Sequence, residues 1–98
     1  MDFKVRFSQD KNQILKSTSG ISFEEVEEYI LKGNILDNKI HHKKNRSNQR
    51  IYVVKIKNYI YLVPYVIDEK KKEIFLKTTY PSRKYAKFYL KGERDDHN

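Results

Sequence analysis

Apolar and polar residues alternate along much of this chain, and changes in the period of that alternation predict its elements. Phe3, Val5 and Phe7 stand between Lys4 and Arg6, the period of two expected of a short strand with one buried face. Asp10 is placed to cap a weak helical pattern, Ile14, Leu15 and Thr18, which Gly20 ends after about two turns. The stretch ISFEEVEEYILKG is the strongest helix signal. Ser22 is its N-cap, Glu25 three residues on completes a capping box, Ile21 and Val26 are spaced as a hydrophobic staple, and Gly33 stops it. Phe23, Val26, Ile30 and Leu31 form the expected inward face, while Glu24, Glu25, Glu27 and Glu28 lie outward near the end of the helix that favours carboxylates.

Ile35 and Leu36 predict a brief strand over 34–39. A polar stretch follows, then two β runs, 51–56 and 59–67, joined at Lys57-Asn58, where Asn tolerates the left-handed turn conformation. In the second run Tyr59, Tyr61, Val63, Tyr65 and Ile67 share one face and Ile60, Leu62 and Val66 the other. Both faces are apolar, so the strand is expected to be central; Pro64, which donates no ladder bond, predicts a bulge or an unpaired side there. A polar turn over 68–72 leads to a strand over 74–80. Pro81 and Ser82 then start a helix whose buried face is expected to be Tyr85, Phe88 and Tyr89, with Lys84, Lys87 and Lys91 opposite. The expected architecture is a single α+β domain over 1–98: two N-terminal helices, an antiparallel meander of three to four strands, and a C-terminal helix covering the sheet with the others. A mobile basic loop is expected around 39–50 and a frayed tail over 92–98.

Charge changes the picture from a plain fold to one with a preferred class of partner. Lysine and arginine number 21 against 13 acidic residues, a net charge of +8 in 98 residues, which favours polyanions and nucleic acid first among them. The absence of cysteine excludes disulfides and thiol chemistry. No apolar stretch is long enough for a signal peptide or a membrane span, so a cytoplasmic protein is expected. The loop KIHHKKNRSNQR carries Lys39, Lys43, Lys44, Arg46 and Arg50 without a carboxylate, together with His41 and His42. It suits phosphate contact as well as plain solvation. Adjacent histidines on extended chain point apart, and nothing else completes a ligand set, so neither a metal nor another cofactor is expected. The tyrosines of 59–65 suit base stacking in principle and core packing more readily.

Several short motifs, taken in order, add a family. Lys11-Asn12 stands ahead of Gly20-Ile21-Ser22-Phe23-Glu24-Glu25; a polar loop leads to Arg50 at the start of a strand; and a strand ends at Ser82-Arg83-Lys84 on entering a helix. In this order and spacing the chain resembles the BrnT-type toxins of bacterial type II toxin–antitoxin modules, allied to RelE-like ribonucleases. The resemblance implies a translation-inhibiting, metal-independent endoribonuclease, held inactive by a DNA-binding antitoxin commonly of ribbon-helix-helix type. Thr18-Ser19 stand where the family usually has Lys-His, so if that pair contributes to cleavage in relatives, this copy is either weaker or uses the His41-His42 loop instead.

Metal-free RNA cleavage needs a base for the 2′-hydroxyl, cations for the charge developing on phosphorus, and an acid for the leaving 5′-oxygen. Acid–base help contributes about 10²–10⁴-fold. Under the resemblance, Arg50 and Arg83 clamp the scissile phosphate, Lys77 or Lys84 adds charge, and His42 or Tyr80 moves protons. Thr78 and Thr79 donate to phosphate, and Lys43, Lys44 and Arg46 bind flanking RNA. The alternative is a nucleic-acid-binding or protein-interaction module that uses the same basic surface without cleavage.

Overall fold

The protein is described by a computed structural model covering residues 3–40 and 49–95, with side chains through residue 91. In chain order the elements are β1 (Lys4–Phe7), α1 (Gln9–Ser19), α2 (Phe23–Leu31), β2 (Ile35–Ile40) and β3 (Gln49–Ile56). They continue with β4 (Tyr59–Asp68), β5 (Glu73–Leu76), β6 (Tyr80–Pro81) and α3 (Arg83–Asp95). This is the expected α+β arrangement with a larger sheet. Strands lie in the order β1-β5-β4-β3-β2, and β6 pairs with β4 farther along it. β2 to β5 form the antiparallel meander; β1 adds to it in parallel beside β5.

The central strand behaves as its two apolar faces require. On one face Tyr52, Val54, Ile56, Val63, Tyr65, Ile74 and Leu76 pack with Ile21, Phe23, Val26 and Ile30 from the α1–α2 side. On the other, Val53 and Ile60 pack with Ala86 and Leu90 of α3. Burying a side chain of this size contributes about 1.5–3 kcal/mol, so β4 ties both layers together. Pro64 sits where the edge partner of β4 is interrupted. Its carbonyl accepts from the Lys77 amide at 2.8 Å, between the last residue of β5 and the first of β6. The expected strand over 74–80 is therefore two short strands with a break at 77–79, opposite the residue that has no amide to offer.

Local signals largely form as read, with shifts at the ends. α1 starts at Ser8, whose hydroxyl accepts from the Lys11 amide, so Asp10 lies in the first turn and is not the cap. Its eleven residues exceed the two turns expected, and Gly20 closes it at φ 70°. Both bonds of the Ser22–Glu25 capping box are present. Leu31, expected inward, is 66% exposed. Lys57 and Asn58 both take positive φ, as a two-residue hairpin requires. β2 runs to Ile40 and β3 begins at Gln49, so both ends of the stretch expected as a loop over 39–50 are strand; residues 41–48 lie outside the described residues. α3 stays helical to Asp95, into the stretch expected to fray. In α3 the burial phase differs by a residue from expectation: Ala86 and Leu90 are buried, Tyr85 and Tyr89 half-buried, and Phe88 is 71% exposed.

Asn12, fully buried, explains why its spacing to the α2 start matters. Its Oδ1 accepts from the Phe23 amide at 2.8 Å, and its Nδ2 donates to Glu24 Oε1 at 2.9 Å. One carboxamide thus satisfies an orphan amide at the α2 N-terminus and locks α1 against it. That same bond from Asn12 is the main cause holding the Glu24 carboxyl below its ordinary range. Asn12→Ala leaves the Phe23 amide unpaired and is expected to lower stability by about 1–3 kcal/mol. A carboxylate with a depressed native pKa contributes stability above its unfolded value and loses it as pH falls through the native one. The deficit of the variant is therefore expected to shrink in acid, a comparison that urea unfolding at neutral and acidic pH provides.

Candidate nucleic-acid interface

The two faces of the sheet carry different chemistry, and β2 shows the division within three residues. Asp37 and Lys39 pair with Val53 and Ile51, on the α3 side, whereas Asn38 pairs with Tyr52, on the α1–α2 side. On the α3 side a groove of about 600 Å³ runs between β2 and the helix. Since Ala86 and Leu90 point α3 into the sheet, the residues one step round the helix, Lys84, Lys87, Phe88 and Lys91, line this groove with Tyr85 and Tyr89.

Its electrostatics are one-sided among the described residues: Lys39, Lys84, Lys87 and Lys91 line it with one carboxylate, Asp37. The Lys39 ammonium lies 3.4 Å from Asp37 and 5.3 Å from the centre of the Tyr85 ring, with Lys84 5.7 Å from the same ring. Tyr85 thus holds two ammonium groups by its π face. The bond to Asp37, and after it Tyr85, raises the Lys39 pKa, so this cation stays charged throughout the neutral range. Phe88 meets Tyr89 edge-on at 4.9 Å and leaves most of its ring to solvent. Cations beside an open aromatic ring suit a single strand, whose phosphates need charge and whose unstacked bases need a flat surface.

The residues expected to form the cleavage site do not all meet. Arg83 and Lys84 are exposed at the start of α3, and Tyr80, 44% exposed, precedes them in β6. Lys77 is exposed, its main chain held between the Pro64 carbonyl and the Lys11 ammonium. Thr78 and Thr79 face the α1 side, lining a hollow of about 250 Å³ with Lys11, Leu15, Thr18 and Phe23. Thr79 is buried and its hydroxyl donates to the Leu62 carbonyl at 3.1 Å, so it secures the break beside Pro64 and has no proton left for phosphate. Arg50 pairs with Tyr65 and lines a separate pocket on the α1–α2 face, opposite the face that α3 covers. One phosphate is therefore not clamped by both Arg50 and Arg83 in this fold. His42, Lys43, Lys44 and Arg46, like His41, lie outside the described residues.

Compared with family models, with curated proteins and with solved structures, the chain matches none.

Lys87, Lys91 and Phe88 complete the groove; the sequence offers the basic stripe of the helix only to the alternative binding module and assigns Phe88 to packing. The lysine stripe of α3 is visible in the sequence; its aromatic partner is not, because Tyr85, Phe88 and Tyr89 share a helical spacing that suits a buried face. The spacing of Ala86 and Leu90 is the signal for the true phase. Among the described residues no set of His, Cys, Asp and Glu side chains is placed to hold a metal ion.

If Thr79 is structural, Thr79→Val should lower stability by about 1 kcal/mol through the missing bond to Leu62, with RNA affinity unchanged. Thermal unfolding and a fluorescence binding assay on the same variant check both halves.

Proposed function

We propose that this chain is the RNA-directed toxin of a type II module and that it grips single-stranded RNA in the groove between β2 and α3. The observation that carries this is the groove itself: Lys39, Lys84, Lys87 and Lys91 set around Tyr85 and the open ring of Phe88, with one acid among the described residues that line it. Lysines there neutralise phosphates, and Phe88 offers a stacking face for a base. The order of short motifs supports the BrnT-type reading, and with it an endoribonuclease that slows translation and is restrained by a DNA-binding antitoxin of ribbon-helix-helix type. Arg83 immediately precedes the groove-lining Lys84 and Tyr80 lies in the short strand that leads into α3; these are the residues we assign to the scissile phosphate, Arg83 for charge and Tyr80 for proton transfer. His42 remains the second candidate for the proton. No cofactor or metal takes part in this scheme.

A second reading, a nucleic-acid-binding module without cleavage, is favoured by one observation: Arg50 lies on the opposite face and cannot join Arg83 as a second guanidinium. The two readings share the groove and differ in products. Expression with and without the antitoxin gene, followed by mapping of RNA ends, separates them. Toxicity with discrete cuts that disappear in Arg83→Ala supports the nuclease; binding with intact RNA in both proteins supports the module.

The groove is tested by salt. Replacing Lys84, Lys87 and Lys91 by Ala should weaken binding to a single-stranded oligonucleotide and reduce the slope of log affinity against log salt by about 0.7 for each phosphate no longer neutralised. Phe88→Ala should cost about 1–3 kcal/mol with the slope unchanged, because stacking carries no counterion. Unaltered binding in both variants would remove the groove from consideration.

A further inference from the structure

The pocket around Arg50, on the sheet face turned away from the groove, has a donor set of its own. Its volume is about 250 Å³, its walls include Phe3, Ile67 and Ile74, and its polar groups are Arg50, Asn38, Tyr52 and Tyr65. The two tyrosine rings are buried and stacked, their centres 4.0 Å apart and their planes within 10°. The Tyr65 hydroxyl donates to Asn38 Oδ1 at 2.7 Å, which holds the carboxamide in one orientation and turns its NH₂ group to donate elsewhere. Burial pushes the Tyr52 phenol up and the neighbouring Tyr65 adds to this, while Arg50 pulls it down, so the phenol is neutral and retains its proton.

Among the described residues no carboxylate lines this pocket and none pairs with Arg50. Elsewhere on the described surface, cations are commonly matched: Arg6 with Glu73, Lys32 with Glu28, Lys57 with Glu25. A planar guanidinium and a carboxamide NH₂ that line one largely apolar recess present donors without a charged acceptor among the described residues.

We infer that the pocket formed by Arg50, Asn38, Tyr52 and Tyr65 binds a small anion, a carboxylate or phosphate monoester, carried on a flat apolar body. Arg50 takes the two anionic oxygens in its fork, Asn38 donates to one of them, and Phe3, Ile67 and Ile74 cover the body. The site stands apart from the RNA groove, since β2 turns Asn38 to one side and Asp37 and Lys39 to the other. Two sources carry this chemistry: a free small molecule and the phosphorylated end of a nucleic acid.

Phenyl phosphate, benzoate and uncharged benzyl alcohol, titrated into the isotopically labelled full chain, test the inference by nuclear magnetic resonance. The two anions are expected to shift the Asn38 side-chain amide and the signals of Tyr52, Tyr65 and Ile74, and the alcohol is not. Arg50→Gln should weaken binding by about tenfold or more with an unchanged melting temperature, as removal of a charged hydrogen-bond donor implies. Lys84→Ala with Lys87→Ala should leave the anion affinity intact while weakening RNA, so failure of the groove and failure of the pocket are read separately. Competition by a 5′-phosphorylated but not a 5′-hydroxyl oligonucleotide assigns the site to a nucleic-acid end, and no competition by either assigns it to a free molecule. Anion-induced shifts confined to α3, or undiminished affinity in Arg50→Gln, would overturn the proposal.

Discussion

Strand β4 has to be covered on both sides. Its odd residues from Tyr61 to Tyr65 and its even residues Ile60 and Leu62 are all apolar, so neither face can meet water, and the chain supplies a layer for each. The α1–α2 pair, locked by Asn12, closes one face; α3 closes part of the other. Because α3 must bring Ala86 and Leu90 down onto Val53 and Ile60, its lysines and Phe88 are turned outward beside β2. The basic groove is thus a by-product of covering the central strand, and its composition follows from which α3 residues the packing leaves over.

The same requirement explains why arginines expected to cooperate are apart. Arg50 follows the parity of Tyr52 and Val54 and belongs to the α1–α2 face; Arg83 opens the helix that packs on the other. A sheet with side chains on both faces is several ångströms of packed matter that no side chain reaches through. Among the described residues, the lysines around Tyr85 and the guanidinium of Arg50 accordingly lie on opposite faces of the sheet.

What was legible in the sequence was what neighbours along the chain decide. The Ser22–Glu25 box, the stop at Gly20, the Lys57-Asn58 turn and the interruption at Pro64 each depend on a few consecutive residues, and each formed. The parallel seat of β1 was not legible, because alternation at Val5 and Phe7 reveals which side chains are buried and nothing about which strand lies alongside. The phase of α3 differs for a related reason: Tyr85, Phe88 and Tyr89 satisfy helical spacing as well as Ala86 and Leu90 do, and only packing against Val53 and Ile60 selects between the two sets. The candidate site was legible as a set of residue types around α3, while their division between two faces came from strand register.

The pairing of β1 with β5 has a consequence for the order in which the molecule holds together. The Arg6–Glu73 bridge joins residues 67 positions apart, whereas the Asn12 clasp closes a loop of only 11. Loop closure costs more entropy as the loop lengthens, and contacts distant in sequence are slow to form. β1 is also a four-residue edge strand, held through one neighbour. It is therefore the seam of the fold, the last piece to be sewn in and the least costly to unpick, and when it lifts it uncovers a strand edge on β5 that the finished molecule keeps closed.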